Sequence, residues 1–490
     1  MKRLAHATGD PVSIFWNGRR VECRAGDTVA AARYAAGIRR LASSRKFHRP
    51  IGLSGAFVSG SLVRIDGRPH QRADRVVVRD GMSVHEQNVW PCSKVDLLRL
   101  MRLLPRRPFE AGFEHPNILP SGTWRFDRWE QLMRFLAGLG EAPAKTAASA
   151  PIAGEHLAVD VAIVGGGPAG RAAAIEAARN GQSVLLVSRG REPGATAKAA
   201  GATLASLPSS VRTIAAAEAF ALYRHGTLLG IAPFNGSAAL LVDAKRIVLA
   251  TGRRSCPPIV PGIDLPGVLD LRSALALAHD HGVAPGHSVL LIGTGDLAPI
   301  AKRFAELGVR IVETAPAADL ERVVGGNEVT GAVIAGRTIV CDAVVHAGPW
   351  RPDPALAFQA GADGAFRMMS NSLPSNVQIV GSAALPAEAI VCPVHGTSAF
   401  VCPCMDVTRA EIEARLETTH HVEELKRLTS CGMGPCQGFP CWDNLAAVLA
   451  QRTGEAPSHF GHPTYRPPRG AITLAQAAGL AGLVEPERST

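Results

Sequence analysis

Absences narrow what this 490-residue chain can be. No apolar run approaches the roughly 20 residues that a bilayer-spanning helix needs, and residues 1–10 hold no apolar stretch of the kind that opens a secretory signal. A cytoplasmic location is therefore expected. Ten cysteines in so long a chain are too few for a disulfide scaffold. Neither Cys256 nor Cys392 has a CxxC partner, so both are read as structural. No Ser/His/Asp arrangement and no paired carboxylates stand in a catalytic context, which points substrate chemistry to another chain. The charge is one-sided, 52 Lys and Arg against 42 Asp and Glu for a net +10. Yet the arginines are scattered and interleaved with prolines, as in RLLPRRP from Arg102 to Pro108, and form no basic amphipathic helix. Nucleic acid is thus not an expected partner, and a solvated face or a docking surface for an acidic subunit explains the surplus.

With 47% hydrophobic residues the chain can bury more than one core, and a prior of roughly 150 residues per domain suggests about three. From 12 to 87 it reads as short strands and turns: VSIFWNG, RRVECRAGDTV, a helical AARYAAG, SLVRIDGRP and RVVVRDGMSV. Asp66-Gly67 and Asp80-Gly81 are turn signals, and the pattern suits a small β-grasp domain. A Pro- and aromatic-rich stretch holds one amphipathic helix, RWEQLMRFLAGLG, and ends in the linker EAPAKTAASAPIAGE. From 156 to 386, strands rich in Val, Ile and Leu alternate with Ala-rich helices, the signature of a parallel sheet with crossover helices. Beyond 387 the pattern becomes short helices around cysteines, followed by the helical tail TLAQAAGLAGL.

VDVAIVGGGPAGRAAAIEAA is a buried strand that turns through Gly165, Gly167 and Gly170 into a helix. Missing Cβ atoms there let the backbone approach a pyrophosphate lying on the positive end of the helix dipole. The next strand, SVLLVS, should end on an acid for the ribose hydroxyls but presents Ser188 and Arg189. Ser188 suits a ribose hydrogen bond and Arg189 a phosphate; loss of the nucleotide from a retained fold is the other reading. A second unit, SVLLIGTGDLAPIAKRFAELGVRIVETAP, turns through Gly293 and Gly295, with Ala298 in the third glycine position. Its next strand is expected to end at Glu313, an acid at the spacing of a ribose contact. A structural βαβ unit with no ligand is the other reading.

Five cysteines, Cys402, Cys404, Cys431, Cys436 and Cys441, fall within 40 residues. In a reducing compartment such clustering reads as metal ligation. FVCPCMDVTRAEIEARLE places Cys402 and Cys404 before a helix that opens with the capping box Thr408–Glu411, and LTSCGMGPCQGFPCWDNLAAVLA places the others before a second helix. Helix dipoles and backbone N–H groups at such mouths favour thiolates and a negatively charged cluster. Four thiolates suit two sulfide-bridged irons, and they also suit one structural zinc. Because the 431–436 and 436–441 spacings are equal, spacing alone leaves the spare cysteine open.

CPC followed by KRLTSCGMGPCQGFPC resembles the bacterioferritin-associated-ferredoxin-like [2Fe–2S] domain of multi-subunit amine-oxidising flavoenzymes. HRPIG, VRIDGRP, GMSVHEQNVWP, AGFEH, RFLAGLGEAP, VGGGPAG, VLATG and PGIDLPGV occur in the order seen in alpha subunits of heterotetrameric sarcosine oxidase. The chain is similar as well to the matching subunits of opine, proline and hydroxyproline dehydrogenases and of hydrogen cyanide synthase. The resemblance implies an α/β, two-dinucleotide-binding-domain (Rossmann-like) flavoprotein fold with an N-terminal β-grasp ferredoxin-like domain and a small helical [2Fe–2S] domain. The corresponding boundaries are 1–95 for the β-grasp domain, 96–155 for a connecting segment, 156–386 for the FAD/NAD(P)-binding-like domains, 387–460 for the cluster domain and 461–490 for a tail. It implies a cluster on Cys402, Cys404, Cys436 and Cys441, since related domains that keep CQGxxC can lack the equivalent of Cys431. It extends dinucleotide binding to Gly165, Gly167, Gly170, to Gly252 of VLATG, and to Gly293, Gly295, Glu313 and Gly381. FAD, NAD(P) and ATP or ADP are the nucleotides to be expected.

Three departures qualify the resemblance. Relatives with a cluster in the β-grasp domain have a cysteine-rich loop after HRPIG, where this chain reads LSGAFVSGS, with no cysteine between Cys23 and Cys92. That domain should carry no cluster. The late Gly-Asp that contacts a flavin's phosphate or ribitol region reads Gly381-Ser382. The aminomethyltransferase-like half of the sarcosine enzyme is absent before Thr490, so folate-linked chemistry is not implied. His48, His395, His420 and His421 are the tempting bases; His395 in CPVHGTSAF lies near the cluster segment, where it could tune the cluster or line an electron path, and a satisfied loop histidine is its plainer reading. The expectation is an electron-transfer and scaffold subunit of a heteromeric amine or imino-acid dehydrogenase. Its expected partners are a flavoprotein subunit of the amino-acid-oxidase type and, in some assemblies, a small third subunit. The alternatives are an independent NAD(P)H-dependent flavin reductase and a nucleotide-binding regulatory subunit.

Overall fold

The computed structural model describes residues 3–44, 46–53, 62–92, 95–103, 122–136, 152–361, 373–385, 394–434, 436–461, 463–470, 472–481 and 483. Two compact units emerge: Met1–Thr146, Pro257–His346 and Cys392–Cys436 form the first, and Ala147–Cys256, Ala347–Val391 and Gln437–Thr490 the second.

In the first unit, Pro11–Trp16 and Arg19–Arg24 pair antiparallel across Asn17-Gly18. Both turn residues have positive φ, 49° and 77°, as a twist-matched two-residue hairpin requires. Leu62–Ile65 and Arg68–Arg72 pair likewise across Asp66-Gly67. The five-stranded order is Arg19–Arg24, Pro11–Trp16, Ser83–Glu86, Leu62–Ile65, Arg68–Arg72. The central Pro11–Trp16 and Ser83–Glu86 strands run parallel, the β-grasp arrangement. Helix Val29–Ala35 starts at Thr28, whose side chain accepts the Ala31 N–H. Ile14, Val29, Leu41, Val63 and Val84 close the core, each fully buried and worth about 1.5–3 kcal/mol. The expected RVVV strand does not form, and Val77 makes only an isolated bridge to Thr28. The Val76 carbonyl accepts the Val29 N–H and the Val78 N–H donates to the Asp27 carbonyl, so this backbone is committed to the start of the helix.

The second unit is built on a seven-stranded sheet. Its main path is Val211–Ile214, Val184–Val187, Glu155–Val164, Leu240–Leu249, Leu228–Pro233, Ala217–Tyr223, with Val377–Ile379 also paired to Leu240–Leu249. Val161–Val164 is buried throughout because strands flank it on both sides. It runs parallel to Val184–Val187, with helix Pro168–Arg179 as the crossover. Another βαβ unit lies in the first unit, where Val289–Gly293 runs parallel to Ile311–Pro316 with helix Ala298–Glu306 between them in sequence.

Near the cysteines, Phe400–Cys402 pairs with Val407–Thr408, and the Thr408–Glu411 capping box forms as the sequence pattern requires. Helices Arg409–Arg415 and Val422–Thr429 follow, and helix Cys441–Thr453 begins on a cysteine. In the second unit Trp442 packs 4.7 Å from Tyr465, which in turn meets Phe358 edge-on at 5.8 Å. The amphipathic helix spans Trp124–Leu136, starting four residues before its periodic pattern. Among the described residues no helix is long and apolar enough to cross a membrane.

Candidate functional site

The Sγ atoms of Cys402, Cys404 and Cys436, all in the first unit, lie within 4.8 Å of one another, and all three residues are buried, as is Cys441 five residues further on. Cys402 ends a strand, Cys404 follows in the turn, and Cys441 occupies the first position of a 13-residue helix. The donor set fits a [2Fe–2S] cluster, because soft thiolates out of water are the ligands such irons need. Cys431 falls outside this group, although it too is fully buried. Its thiol is hydrogen-bonded to Cys402, and that bond, ahead of burial, holds Cys431 protonated well above the ordinary thiol range. The Gly432 N–H donates to the same Cys402 sulfur at 3.3 Å. The Cys402 sulfur thus accepts from both Cys431 and Gly432.

Three side chains that local pattern did not single out surround the CPC turn. The Arg49 guanidinium donates to Asp406 Oδ1 through Nε at 2.8 Å and Nη2 at 2.5 Å, and to the Pro403 carbonyl at 3.2 Å. It also pairs with Asp264 and lies 3.6 Å above the Phe400 ring. Asp406 is fully buried and accepts the backbone N–H groups of Lys46 at 2.8 Å and Phe47 at 3.2 Å. Arg49 and Asp264 lie in HRPIG and PGIDLPGV, so the motifs were visible although their meeting was not.

At the first glycine turn, a Cβ on Gly165 would strike the Ala250 carbonyl, and one on Gly170 the Gly165 carbonyl. Both positions therefore need glycine for the turn itself. Gly167, at the N-cap of the helix, faces open space, so its backbone is accessible to a phosphate. Gly381 packs against Ala169 of the same helix, and Gly252 takes φ 68°. Ser188 is buried with its hydroxyl turned to the Glu192 carbonyl at 3.4 Å. Arg189 Nε lies 3.8 Å from Glu218, a buried carboxylate that also accepts from Arg469 at 3.0 Å. Arg189 is accordingly drawn toward a protein carboxylate at the place where a phosphate partner was expected.

In the other turn Gly295 has φ 72° and open space around it, and Gly293 ends its strand. The expectation for Glu313 needs correction. Its strand continues to Pro316, and the register sets Glu313 beside Leu290, while Pro316 is the residue level with Gly293. Arg337 also donates to Glu313 at 2.7 Å. The 20-residue spacing therefore does not deliver an acid to the strand end.

Of the histidines, His48 is fully buried, with Nδ1 at 3.2 Å from the Asn88 carbonyl and 3.6 Å from Asp96. His395, His420 and His421 are exposed. Cys256 is buried, and Cys392 lies outside the described residues.

Residues 9–89 match the family described as a 2Fe-2S iron-sulfur cluster binding domain, 159–325 the pyridine nucleotide-disulphide oxidoreductases, and 396–480 the sarcosine oxidase A3 domain. The first span holds one cysteine, Cys23, a buried thiol pushed up to about 11, so four-thiol ligation is not available within it. The alpha subunit of sarcosine oxidase from Rhizobium meliloti (strain 1021) is 28% identical across 93% of this chain and 56% of its own length. The chain thus spans little more than half of that relative. An opine oxidase subunit of the same organism is 37% identical over 21% of each chain. The HcnA subunit of hydrogen cyanide synthase from Pseudomonas aeruginosa is 43% identical over 16% of this chain and 75% of its own. Among solved structures, L-proline dehydrogenase from P. horikoshii shares the fold, with a TM-score of 0.75 and 21% identity over 97% of this chain and 99% of that one. The chain is thus similar to a sarcosine oxidase alpha subunit along most of its own length, and over shorter segments to an opine oxidase subunit and to the HcnA subunit of hydrogen cyanide synthase.

Proposed function

We propose that this chain is the electron-transfer and scaffold subunit of a heteromeric flavin-dependent amine or imino-acid dehydrogenase or oxidase. The observation that carries the reading is the set of three buried thiols, Cys402, Cys404 and Cys436, within 4.8 Å of one another in the first unit, with buried Cys441 following five residues after Cys436. A [2Fe–2S] cluster on Cys402, Cys404, Cys436 and Cys441 would accept and release electrons singly, as coupling to two-electron flavin chemistry requires. The chain's own contribution is to hold these thiols out of water and to donate hydrogen bonds to Cys402 from Gly432 and Cys431. The Gly165–Gly170 turn offers its open face at Gly167 to the pyrophosphate of a nucleotide, with FAD, NAD(P) and ATP or ADP as candidates. Substrate oxidation is assigned to an amino-acid-oxidase-type partner subunit, because the described residues present no acid–base constellation. A reducing cytoplasm suits a chain whose described cysteines form no disulfide.

The test is the full chain purified together with the product of its neighbouring gene. Iron, sulfide, visible absorbance and a paramagnetic signal on reduction are expected, and mass spectrometry of the small molecules released on denaturation identifies the nucleotide. Stoichiometric zinc with neither optical nor paramagnetic signal would overturn the assignment, since four close thiolates also make a tetrahedral zinc site. Bleaching of a bound flavin by a nicotinamide nucleotide in the isolated chain would favour an independent flavin reductase. That second reading draws on the match of 159–325 to pyridine nucleotide-dependent enzymes.

A further inference from the structure

The N-terminal β-grasp domain raises a functional question, because it matches a cluster-binding family yet holds a single cysteine in the matched span. Its HRPIG segment shows what it could do instead. Arg49 reaches the segment that carries Cys402 and Cys404 at three points: over the ring of Phe400, onto the carbonyl of Pro403 between the two cysteines, and onto both sides of its fork at Asp406. The Lys46 and Phe47 N–H groups of the same domain also bind Asp406, and Asp264 completes the pairing of the guanidinium. Phe400, Pro403 and Asp406 bracket both cysteines, so the turn is gripped before, between and after its two thiols. A planar, five-donor guanidinium is the side chain able to make these contacts at once, and a lysine ammonium cannot. Arg49 and Asp406 are nearly or wholly shielded from water, so neither charge has solvent as a substitute partner.

We infer that Arg49 is a positioning residue for the Cys402–Cys404 pair, and that the β-grasp domain, without cluster cysteines of its own, serves as the buttress of the cluster held elsewhere in the chain. The inference rests on reading Cys402 and Cys404 as cluster ligands. Gripping the turn fixes the spacing and direction of both thiolates before metal arrives. Outer contacts of this kind typically change metal affinity by about 10- to 100-fold when removed.

The experiment uses the full chain with Arg49→Lys and Asp406→Asn, and with Arg39→Lys as a control, because Arg39 is a buried arginine of the same unit that pairs with a different carboxylate, Asp342. In metal-free protein, the alkylation rate of each cysteine is followed by peptide mass spectrometry. Cys402 and Cys404 are expected to react at least about tenfold faster in Arg49→Lys and Asp406→Asn, while Cys23 and Cys341, both buried in the same unit, keep their slow rates. In iron-loaded protein, both variants should release iron to a chelator about 10- to 100-fold more readily than wild type and the control. Wild-type rates at Cys402 and Cys404 in both variants would overturn the inference. Equal acceleration at Cys23 and Cys341 would overturn it as well, since Arg49 would then support the whole unit and not the turn. A wild-type chain that takes up no iron would instead refute the proposed function, and the alkylation rates would still decide whether the turn is clamped.

Discussion

Replacing Cys431 by alanine separates a ligand from a neighbour. Five cysteines compete for four ligand places, and the structure leaves Cys431 outside the group while directing its thiol at Cys402. Removing a fully buried sulfur deletes about one methylene-sized group and leaves a small cavity, a cost of roughly 1–2 kcal/mol. The melting temperature should fall by about 2–6 °C on that account. The cluster should survive, with two irons per chain, because all four ligands remain. Its midpoint potential should shift downward, since the Cys431 hydrogen bond to the Cys402 sulfur is lost while the Gly432 N–H remains. A weak S–H donor that differs between the oxidation states by about 0.5–1 kcal/mol corresponds to about 20–40 mV for one electron. Iron and acid-labile sulfide analysis with a paramagnetic redox titration reads each quantity. Cys402, Cys404, Cys436 and Cys441 variants should each lose the native signal. A Cys431→Ala chain without iron, beside a Cys436→Ala or Cys441→Ala chain that retains it, would refute the ligand assignment.

Gly170→Ala would set a methyl group on the Gly165 carbonyl, so the turn must open; nucleotide released on denaturation should drop several-fold relative to wild type, and stoichiometric nucleotide would contradict the turn's role. Trp442→Ala removes a buried ring stacked between helix and tail at Tyr465 and should cost about 3–5 kcal/mol in urea denaturation; a loss below 1 kcal/mol, on the order of a surface change, would contradict that packing. His346 is fully buried, and burial lowers its pKa from 6.5 to about 4 against the opposing pull of Asp270. Between those values the unfolded chain binds more protons, so stability present above pH 6.5 is lost as pH falls toward 4, by about 3 kcal/mol from this group. His346→Leu should flatten that part of the pH profile of urea midpoints, and an unchanged slope would show that other groups set it.

Much of this architecture was legible because its determinants are local. Asp66-Gly67, the Thr408–Glu411 box and the strand–glycine–helix order each encode a backbone geometry within a few residues, and each forms. The gathering of Cys402, Cys404 and Cys436 was legible because thiolate chemistry restricts which residues can gather around a metal. Counting failed at Glu313, where the strand runs three residues further and register, not spacing, decides which residue meets Gly293. Propensity failed at the RVVV segment, whose β-branched residues were outweighed by backbone bonds to the start of helix Val29–Ala35. The Arg49–Asp264–Asp406 grouping was invisible because its members lie 215 and 357 residues from Arg49, and no periodicity reports on polar partners so far apart.

That separation also has a consequence for synthesis. A ribosome adding roughly 5–20 residues per second needs about 20–70 s to travel from Arg49 to Asp406. For that interval the arginine has no Asp406 to bind, and its charge must stay hydrated at the edge of an N-terminal domain that is already translated. The cysteine turn thus arrives late at a waiting cation, and docking can fix two thiols only after Asp406 has been made. Metal capture by the full ligand set is placed by this order after the turn has been made, when Cys436 and Cys441 follow within seconds.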